Sequence, residues 1–113
     1  FRSPAGTNLV GAEAVRSQYD RVIRYSDGTP RTKHVLGTPW IEVDLDAGTA
    51  TARTTITVFQ ATDSFALQPV LSGRYHDVFT RHPDGWWITE RMVLPDLNGD
   101  LSAHMRGAPG PAR

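Results

Sequence analysis

Cysteine is absent from the chain, which excludes a disulfide scaffold and any metal site built on thiolates. An excess of charge of either sign is also absent, because 12 lysines and arginines balance 12 aspartates and glutamates. A nucleic-acid-binding surface needs a basic stripe, so we expect no nucleic-acid partner. Without a long apolar run or a visible signal peptide, the sequence predicts a cytoplasmic protein with no membrane partner.

Sequence motifs for phosphate binding, hydride transfer and metal-assisted hydrolysis are missing as well. The chain has no GxGxxG, Walker-type, GxSxG or HExxH pattern. Its 4 histidines are dispersed, so a zinc site has no support in the sequence. We therefore expect a protein that works without a metal or another cofactor.

What remains is the composition of one folded domain. The 113 residues are 39% apolar and 21% charged, which suits a single core of modest size. The segment after Asn98 becomes rich in glycine, proline and alanine. We predict a single domain over residues 1–105 and a flexible tail over residues 106–113.

Apolar periodicity predicts one helix followed by four long strands. The helix is expected over residues 11–24, where an apolar stripe with helical spacing ends at the turn-rich SDGTP. Strands are predicted over residues 31–45, bent near Gly37-Thr38-Pro39, and over 49–62, 70–81 and 86–97. Because short turns join these strands, the sequence predicts an α+β fold with a curled antiparallel sheet, helices on one face and a concave interior.

The hairpin GRYHDVFTRHPDGWWITER, residues 73–91, carries most of the candidate chemistry. A four-residue loop over residues 82–85 places Arg81 opposite Trp86 and matches apolar residues on one face. The further pairs would be Phe79 with Ile88, Asp77 with Glu90, and Tyr75 with Met92. A two-residue turn at Asp84-Gly85 is the alternative. Hydrophobic matching favours the longer loop.

This register places two carboxylates, Asp77 and Glu90, opposite each other on the apolar face. Two such groups in an apolar setting cannot both ionise easily, so one should have a raised pKa and is a candidate for a functional site. Asp77 would then act as a general acid or base. The structural alternative is that Asp77 is tied to Arg91, Arg74 or Tyr75, since ion-pair networks also perturb pKa values.

Histidines and tryptophans are assigned to faces by strand alternation. His34, on the first strand, can project into the interior as a proton shuttle, or it can lie on the surface. His76 alternates with Asp77 and points to the opposite face, which excludes a dyad of these neighbours. Trp86 and Trp87 also point to opposite faces, so one is expected in the core and the other on the surface or in an interface.

The order and spacing of four segments resemble the SnoaL-like group of the nuclear-transport-factor-2-like superfamily: GAEAVRSQY, RTKHVLGTPWIEVDLDAGTATART, SGRYHDVFTRHPDGWWITERMV and NGDLSAHM. The resemblance covers about residues 10–105 and implies a cone-shaped α+β barrel with a deep apolar pocket. Relatives include polyketide cyclases, steroid isomerases, dehydratases and proteins without known activity, and dimers are frequent. Family members usually begin with a long helix, so we expect that this helix region is missing ahead of Phe1.

The resemblance implies a small apolar ligand, cyclic or polyketide-like, and two alternative functions. As an enzyme, the protein would abstract a proton beside a carbonyl in an isomerase, dehydratase or cyclase reaction. His34 or Asp77 would be the base and Tyr75 the donor to the oxyanion. As a non-catalytic protein, it would bind the ligand or serve as a dimerisation domain, and a homodimer is expected. The predicted pocket residues are Glu90, Trp86, Phe79, Ile88 and Met92.

Overall fold

The structure of the chain is a computed structural model, and it describes residues 1–108 and 110. In this part of the chain one α-helix, α1 (Ala12–Gln18), is followed by a short 3₁₀ helix, Tyr19–Arg21. The strands are β1 (Thr32–Leu36), β2 (Trp40–Asp44), β3 (Thr49–Thr62), β4 (Phe65–His82) and β5 (Gly85–Asn98). Across the described residues, neither helix has the length and apolar composition that crossing a bilayer requires.

The strands join one antiparallel sheet in the order β1–β3–β4–β5, and β2 pairs with β3 beyond the end of β1. β1 and β2 therefore replace the single bent strand that the sequence predicts over residues 31–45. The break falls at Gly37-Thr38-Pro39, as expected for a proline that cannot donate to the ladder. The predicted α+β class with a curved antiparallel sheet is confirmed.

Tertiary pairing shortens the predicted helix. The sequence predicts a helix over residues 11–24, whereas the helical residues end at Arg21. Val22 forms a bridge with Met105, and the amide of Ile23 donates to the carbonyl of His104 at 2.8 Å. These contacts with the C-terminal segment use backbone groups that a longer helix would need for its own hydrogen bonds.

β4 begins at Phe65, although the sequence predicts a connection over residues 63–69 and a strand from Val70. Phe65 pairs with Thr62 across a two-residue turn. Pro69, which cannot donate to a ladder, is accommodated where the register against β3 shifts. The bulge therefore allows the strand to continue through a proline that would otherwise interrupt it.

The core lies on one side of β3. Alternate residues of this strand from Ala50 to Gln60 are buried. Ile56 and Val58 pack against Val70 of β4 to form an aliphatic cluster. Partly buried side chains that pack against this cluster are Leu71, Tyr75 and Leu101. The side of the sheet that carries the buried residues of β3 is called the inner face below, and the opposite side is called the outer face.

The chain after β5 returns to the sheet. The amide of Gly99 donates to the carbonyl of Val70 at 2.9 Å, and the amide of Arg106 donates to the carbonyl of Arg21 at 2.8 Å. The flexible tail predicted over residues 106–113 therefore begins at a hydrogen-bonded residue, Arg106. Residues 109 and 111–113 lie outside the described residues.

Many large apolar side chains remain exposed on the sheet. The chain exposes 8034 Å², whereas a compact monomer of this mass exposes about 6,200 Å². The exposed residues on the outer face include Val35, Trp40 and Trp87, and those on the inner face include Leu36, Ile41, Val43 and Ile88. The sheet thus presents more apolar surface to water than a monomer of this size usually does.

Candidate functional site

The β4–β5 hairpin begins as the sequence predicts. Two predicted pairs are present: Arg81 with Trp86, and Phe79 with Ile88. The turn is shorter than the predicted loop, because His82 also pairs with Gly85. The unpaired residues are Pro83 and Asp84, so the alternative turn at Asp84-Gly85 is wrong as well. The predicted register is confirmed up to Ile88.

A β-bulge in β5 changes the pairing beyond this point. The register shifts between Val78 and Phe79 of β4, so that Val78 faces Glu90 and Asp77 faces Arg91. The predicted pair of Asp77 and Glu90 is therefore wrong, and the argument for a raised pKa from two facing carboxylates is wrong with it. The extra residue in β5 places Arg91 on the face that strict alternation assigns to Glu90.

The same shift moves Met92 to the outer face. Met92 pairs with His76, and Tyr75 pairs with Val93 instead of Met92. His76 in turn faces Arg53, which lies on the exposed side of β3. Strand alternation predicts that Met92 pairs with Tyr75, and this prediction is therefore wrong.

Asp77 and Arg91 form a bidentate ion pair on the inner face. Nε and Nη2 of Arg91 donate to Oδ1 and Oδ2 of Asp77 at 2.8 and 2.9 Å. The Asp77 side chain is only 5% exposed. Because both carboxylate oxygens accept from the guanidinium, Asp77 is poorly suited to act as a general base. The hydrogen bond to Asp77 raises the pKa of Arg91, which stays charged.

The guanidinium of Arg91 also stacks on Tyr75. Its central carbon lies 4.1 Å from the centroid of the Tyr75 ring, within the range of a cation–π interaction. Burial raises the pKa of the Tyr75 hydroxyl, although the charge of Arg91 acts in the opposite direction. Tyr75 is therefore a neutral hydrogen-bond donor at physiological pH.

A cavity of about 600 Å³ opens beside this stack. Its walls come from the N-terminal segment (residues 1–10), α1 and the strands β4 and β5. The aliphatic side chains Leu9, Val10, Val15 and Ile88 line it, together with the polar side chains Arg2, Tyr19, Tyr75, Glu90 and Arg91. Nη1 of Arg2 lies 3.5 Å from Oε1 of Glu90, and this ion pair is partly exposed.

β5 contributes a continuous stretch of the lining at the bulge. The four consecutive residues from Ile88 to Arg91 all line the cavity, whereas a regular strand presents every second residue to one side. The N-terminal segment is fastened beside them. The amide of Arg2 donates to the carbonyl of Arg91 at 2.8 Å, and the amide of Val93 donates to the carbonyl of Arg2 at 2.9 Å.

The cavity contains some of the predicted site residues and omits others. Tyr75, Glu90 and Ile88 line it. Trp86, Phe79 and Met92 do not line it. Sequence reasoning missed Tyr19 and Arg2, because their contacts with β4 and β5 span more than fifty positions of the chain. The ion pair of Asp77 with Arg91, by contrast, is one of the alternatives that the sequence predicts.

His34 does not lie beside Asp77. On β3, His34 faces Val58 and Asp77 faces Ala52, so six positions of the strand separate them. At about 3.3 Å per residue, this is about 20 Å along the strand. A site that combines His34 with Asp77 is therefore excluded. His34 is exposed and lies at the far end of the inner face.

His104 lies at the centre of a second polar cluster at that end of the sheet. Nδ1 of His104 and Oε1 of Gln60 are buried and have no hydrogen-bond partner among the described residues. Nε2 of Gln60 and the hydroxyl of Tyr25 both donate to the carbonyl of Ala103, at 3.1 and 2.7 Å. Burial lowers the pKa of His104, and the charge of His34 lowers it further.

The free energy of unfolding is expected to fall as the pH drops below about 6.5, because of His104. Its pKa is lower in the folded chain than in the unfolded chain, so the unfolded chain binds the proton first. The contribution of His104 to the free energy of unfolding is fully present above the pKa of the unfolded chain. Below that pKa the free energy of unfolding declines by up to about 1.4 kcal/mol per pH unit, until the pKa of the folded chain is reached.

Urea unfolding between about pH 5.5 and 7.5 measures this slope, because exposed carboxylates titrate below that window. His104→Asn should remove the slope. His82→Asn is the control, because His82 lies exposed at the end of β4 and its replacement should leave the slope unchanged. An equal slope in His104→Asn and in the parent chain would contradict the assignment.

No group of three His, Asp or Glu side chains that could hold a metal ion occurs in the part of the chain that the structure describes. The polar residues that line the cavity instead include the hydrogen-bond donors Arg2, Tyr19, Tyr75 and Arg91, together with Glu90. Such an arrangement can bind a ligand oxygen and can exchange a proton with a ligand carbon or oxygen.

Comparisons with known proteins add to this geometry. A family model described as the SnoaL-like domain matches residues 1–92. The chain belongs to the SnoaL-like family. This SnoaL-like chain is similar to the crystal structure of a nuclear-transport-factor-2-like protein with a cystatin-like fold from Novosphingobium aromaticivorans, at 24% identity and a TM-score of 0.53.

That likeness covers 82% of the SnoaL-like chain and 51% of the solved protein, so the chain spans about half the length of that protein. At this identity the likeness concerns the fold alone. A search of the curated proteins finds no match for the SnoaL-like chain. The resemblance stated from the sequence is thus confirmed at the level of family and fold.

Proposed function

We propose that this SnoaL-like chain binds a small, largely apolar organic molecule in the cavity between the N-terminal segment, α1 and the strands β4 and β5. The observation that carries the proposal is the composition of the walls. Aliphatic side chains line the cavity together with the stacked Tyr75 and Arg91, which are called the polar end below. A volume of about 600 Å³ is typical of sites for small organic ligands.

A second function, proton transfer of the isomerase, dehydratase or cyclase type, is supported by Glu90. Glu90 lines the same cavity as Tyr75, and its carboxylate forms a partly exposed ion pair with Arg2. In the proposed step Glu90 takes a proton from a carbon beside a carbonyl, and the C–H electron pair forms an enolate. The enolate oxygen accepts hydrogen bonds from Tyr75 and Arg91. Glu90 then returns the proton to another carbon, which regenerates the carboxylate.

Glu90→Gln is expected to retain ligand binding and to lower turnover by at least about a hundredfold, because the variant keeps the shape of the cavity and loses the base. Thermal shift with a panel of cyclic ketones measures binding, and chromatography of the same mixtures measures turnover. Glu42→Gln is the control, since Glu42 is exposed on β2 outside the cavity.

Two results separate the two functions. Equal turnover in Glu90→Gln and in the parent chain would contradict the proton-transfer step and leave the binding function in place. If none of the ketones raises the melting temperature of the parent chain, the binding proposal fails, because a ligand that binds only the folded state must stabilise it.

We further propose that two copies of the chain associate through the outer face of the sheet. The chain exposes roughly 1,800 Å² more than a compact monomer of its mass. A stable interface needs about 800 Å² from each partner. Trp40, at 70% exposure, and Trp87 both point outward on this face, and exposed tryptophans are typical of interfaces.

Light scattering after gel filtration is expected to give the mass of a dimer for the parent chain and of a monomer for Trp40→Ser. Ile41→Ser is the matched control, because Ile41 is the next residue of β2 and is exposed on the inner face. Dissociation by Ile41→Ser but not by Trp40→Ser would place the interface on the inner face and contradict the proposal. A monomeric parent chain would also contradict it.

A further inference from the structure

We propose that Asp77 sets the ligand selectivity of the cavity: by neutralising and orienting Arg91, it makes the polar end a subsite for a neutral carbonyl oxygen rather than for a carboxylate. The inference rests on the proposed binding function and names the chemical class of its ligand. It also changes the role of Asp77, which acts through Arg91 and is a positioning residue.

The first argument is that Arg91 is held from two directions. Its Nε and Nη2 donate to the two oxygens of Asp77 at 2.8 and 2.9 Å, which fixes the plane of the guanidinium. The ring of Tyr75 lies 4.1 Å from the central carbon and covers one side of that plane. A side chain held in this way presents its donors in one geometry, and little conformational freedom is lost when a ligand binds.

The second argument concerns the donors that remain. A guanidinium has five N–H groups, and Asp77 accepts from two of them. The other three have no acceptor among the described residues. Because Arg91 lines the cavity beside Tyr75, this end of the cavity is rich in donors. A ligand oxygen that accepts hydrogen bonds complements it, whereas a hydrocarbon leaves the donors unpaired.

The third argument is the balance of charge. The charged side chains at the cavity form two ion pairs, Asp77 with Arg91 and Glu90 with Arg2. These side-chain charges sum to zero, so the side chains offer a ligand carboxylate no net positive charge in return for the hydration that it loses. A neutral carbonyl oxygen can accept the same hydrogen bonds and has much less hydration to lose. The pairing thus favours a ketone, an ester or another neutral carbonyl compound.

Three probes with one ring system test this inference: naphthyl methyl ketone, ethylnaphthalene and naphthoate. Their dissociation constants are measured by calorimetry at neutral pH. The parent chain should bind the ketone about tenfold more tightly than either of the other two probes. Asp77→Asn leaves an uncompensated guanidinium, and the ratio of ketone affinity to naphthoate affinity should fall by about tenfold or more.

Asp96→Asn is the matched control. Asp96 accepts a bidentate pair of hydrogen bonds from Arg74, as Asp77 does from Arg91, but this pair is exposed and lies outside the cavity. The variant removes the same charge from the chain, so it should leave the affinity ratio unchanged.

A second experiment asks whether Asp77 acts through Arg91. In the parent chain, Asp77→Asn should lower the ratio of ketone affinity to ethylnaphthalene affinity severalfold. In the background Arg91→Met, the same change should leave this ratio unchanged, because both probes are neutral and the group that Asp77 orients has been removed. Should Asp77→Asn fail to fold, Arg91→Lys replaces this test. Lysine cannot form the planar bidentate pair, and the preference for the ketone over ethylnaphthalene should fall severalfold.

The outcomes separate this inference from the proposed binding function. If the ketone binds no more tightly than ethylnaphthalene, the proposed carbonyl subsite is contradicted. Binding of ethylnaphthalene in that case still supports the proposed binding function of the cavity. An unchanged affinity ratio in Asp77→Asn, or an effect of the same size in the Arg91→Met background, overturns the role of Asp77. If no probe binds the folded parent chain, the binding function and this inference both fail.

Discussion

Arg91→Met is expected to lower the free energy of unfolding by about 3–5 kcal/mol, because it leaves the Asp77 carboxylate buried without its partner. Asp77 is 5% exposed, and its two oxygens accept only from Arg91 within the described residues. The methionine preserves most of the side-chain volume, so the effect reports the loss of the guanidinium. Urea unfolding at neutral pH, followed by circular dichroism, measures it.

Two further variants give this prediction its control. Arg74→Met breaks a bidentate pair with Asp96 that is exposed to water, so its effect should be much smaller. The double variant Asp77→Asn with Arg91→Met removes the uncompensated charge and should recover a large part of the lost stability. If Arg91→Met and Arg74→Met destabilise the chain equally, the buried carboxylate is not the cause.

Ile56→Ala is expected to lower the free energy of unfolding by about 3 kcal/mol, because it opens a cavity in a small core. Ile56 is 2% exposed and packs against Val58 and Val70 in the aliphatic cluster. A core of this size has few neighbouring side chains that could fill the space. The midpoint of urea unfolding and its slope separate a loss of stability from a change in the unfolded chain.

The control for Ile56→Ala is Ile41→Ala, which removes the same atoms from an exposed position of the same face. Ile41 is 56% exposed, so its truncation should change the free energy of unfolding by less than about 1 kcal/mol. A comparable loss in both variants would show that Ile41 is buried in solution, for example by another molecule on the inner face.

The fold could be predicted from local patterns. The alternation of β3, in which alanine, isoleucine and valine share one side, is enough to identify the inner face of the sheet. Gly37-Thr38-Pro39 likewise marks the break between β1 and β2. These features follow from the chemistry of residues that are close in sequence, and the resemblance to the SnoaL-like family adds their order.

The site could be predicted only in part, because it depends on one inserted residue. The bulge near Thr89 has no glycine or proline to indicate it, and it decides whether Glu90 or Arg91 faces Asp77. The position of His34 depends on where β1 pairs along β3, which is a contact between distant parts of the chain. Strand alternation alone determines neither of these features.

The bulge in β5 also carries residues that could be substituted without disturbing the core of the sheet. Ile88 and Thr89 line the cavity, and neither belongs to the aliphatic cluster around Ile56 or to the ion pair of Asp77 with Arg91. Exchanging Ile88 or Thr89 would alter the walls that a ligand meets while the cluster keeps its packing. A lineage of such proteins could therefore diverge toward new ligands by substitutions in one short stretch, without first acquiring compensating changes elsewhere in the fold.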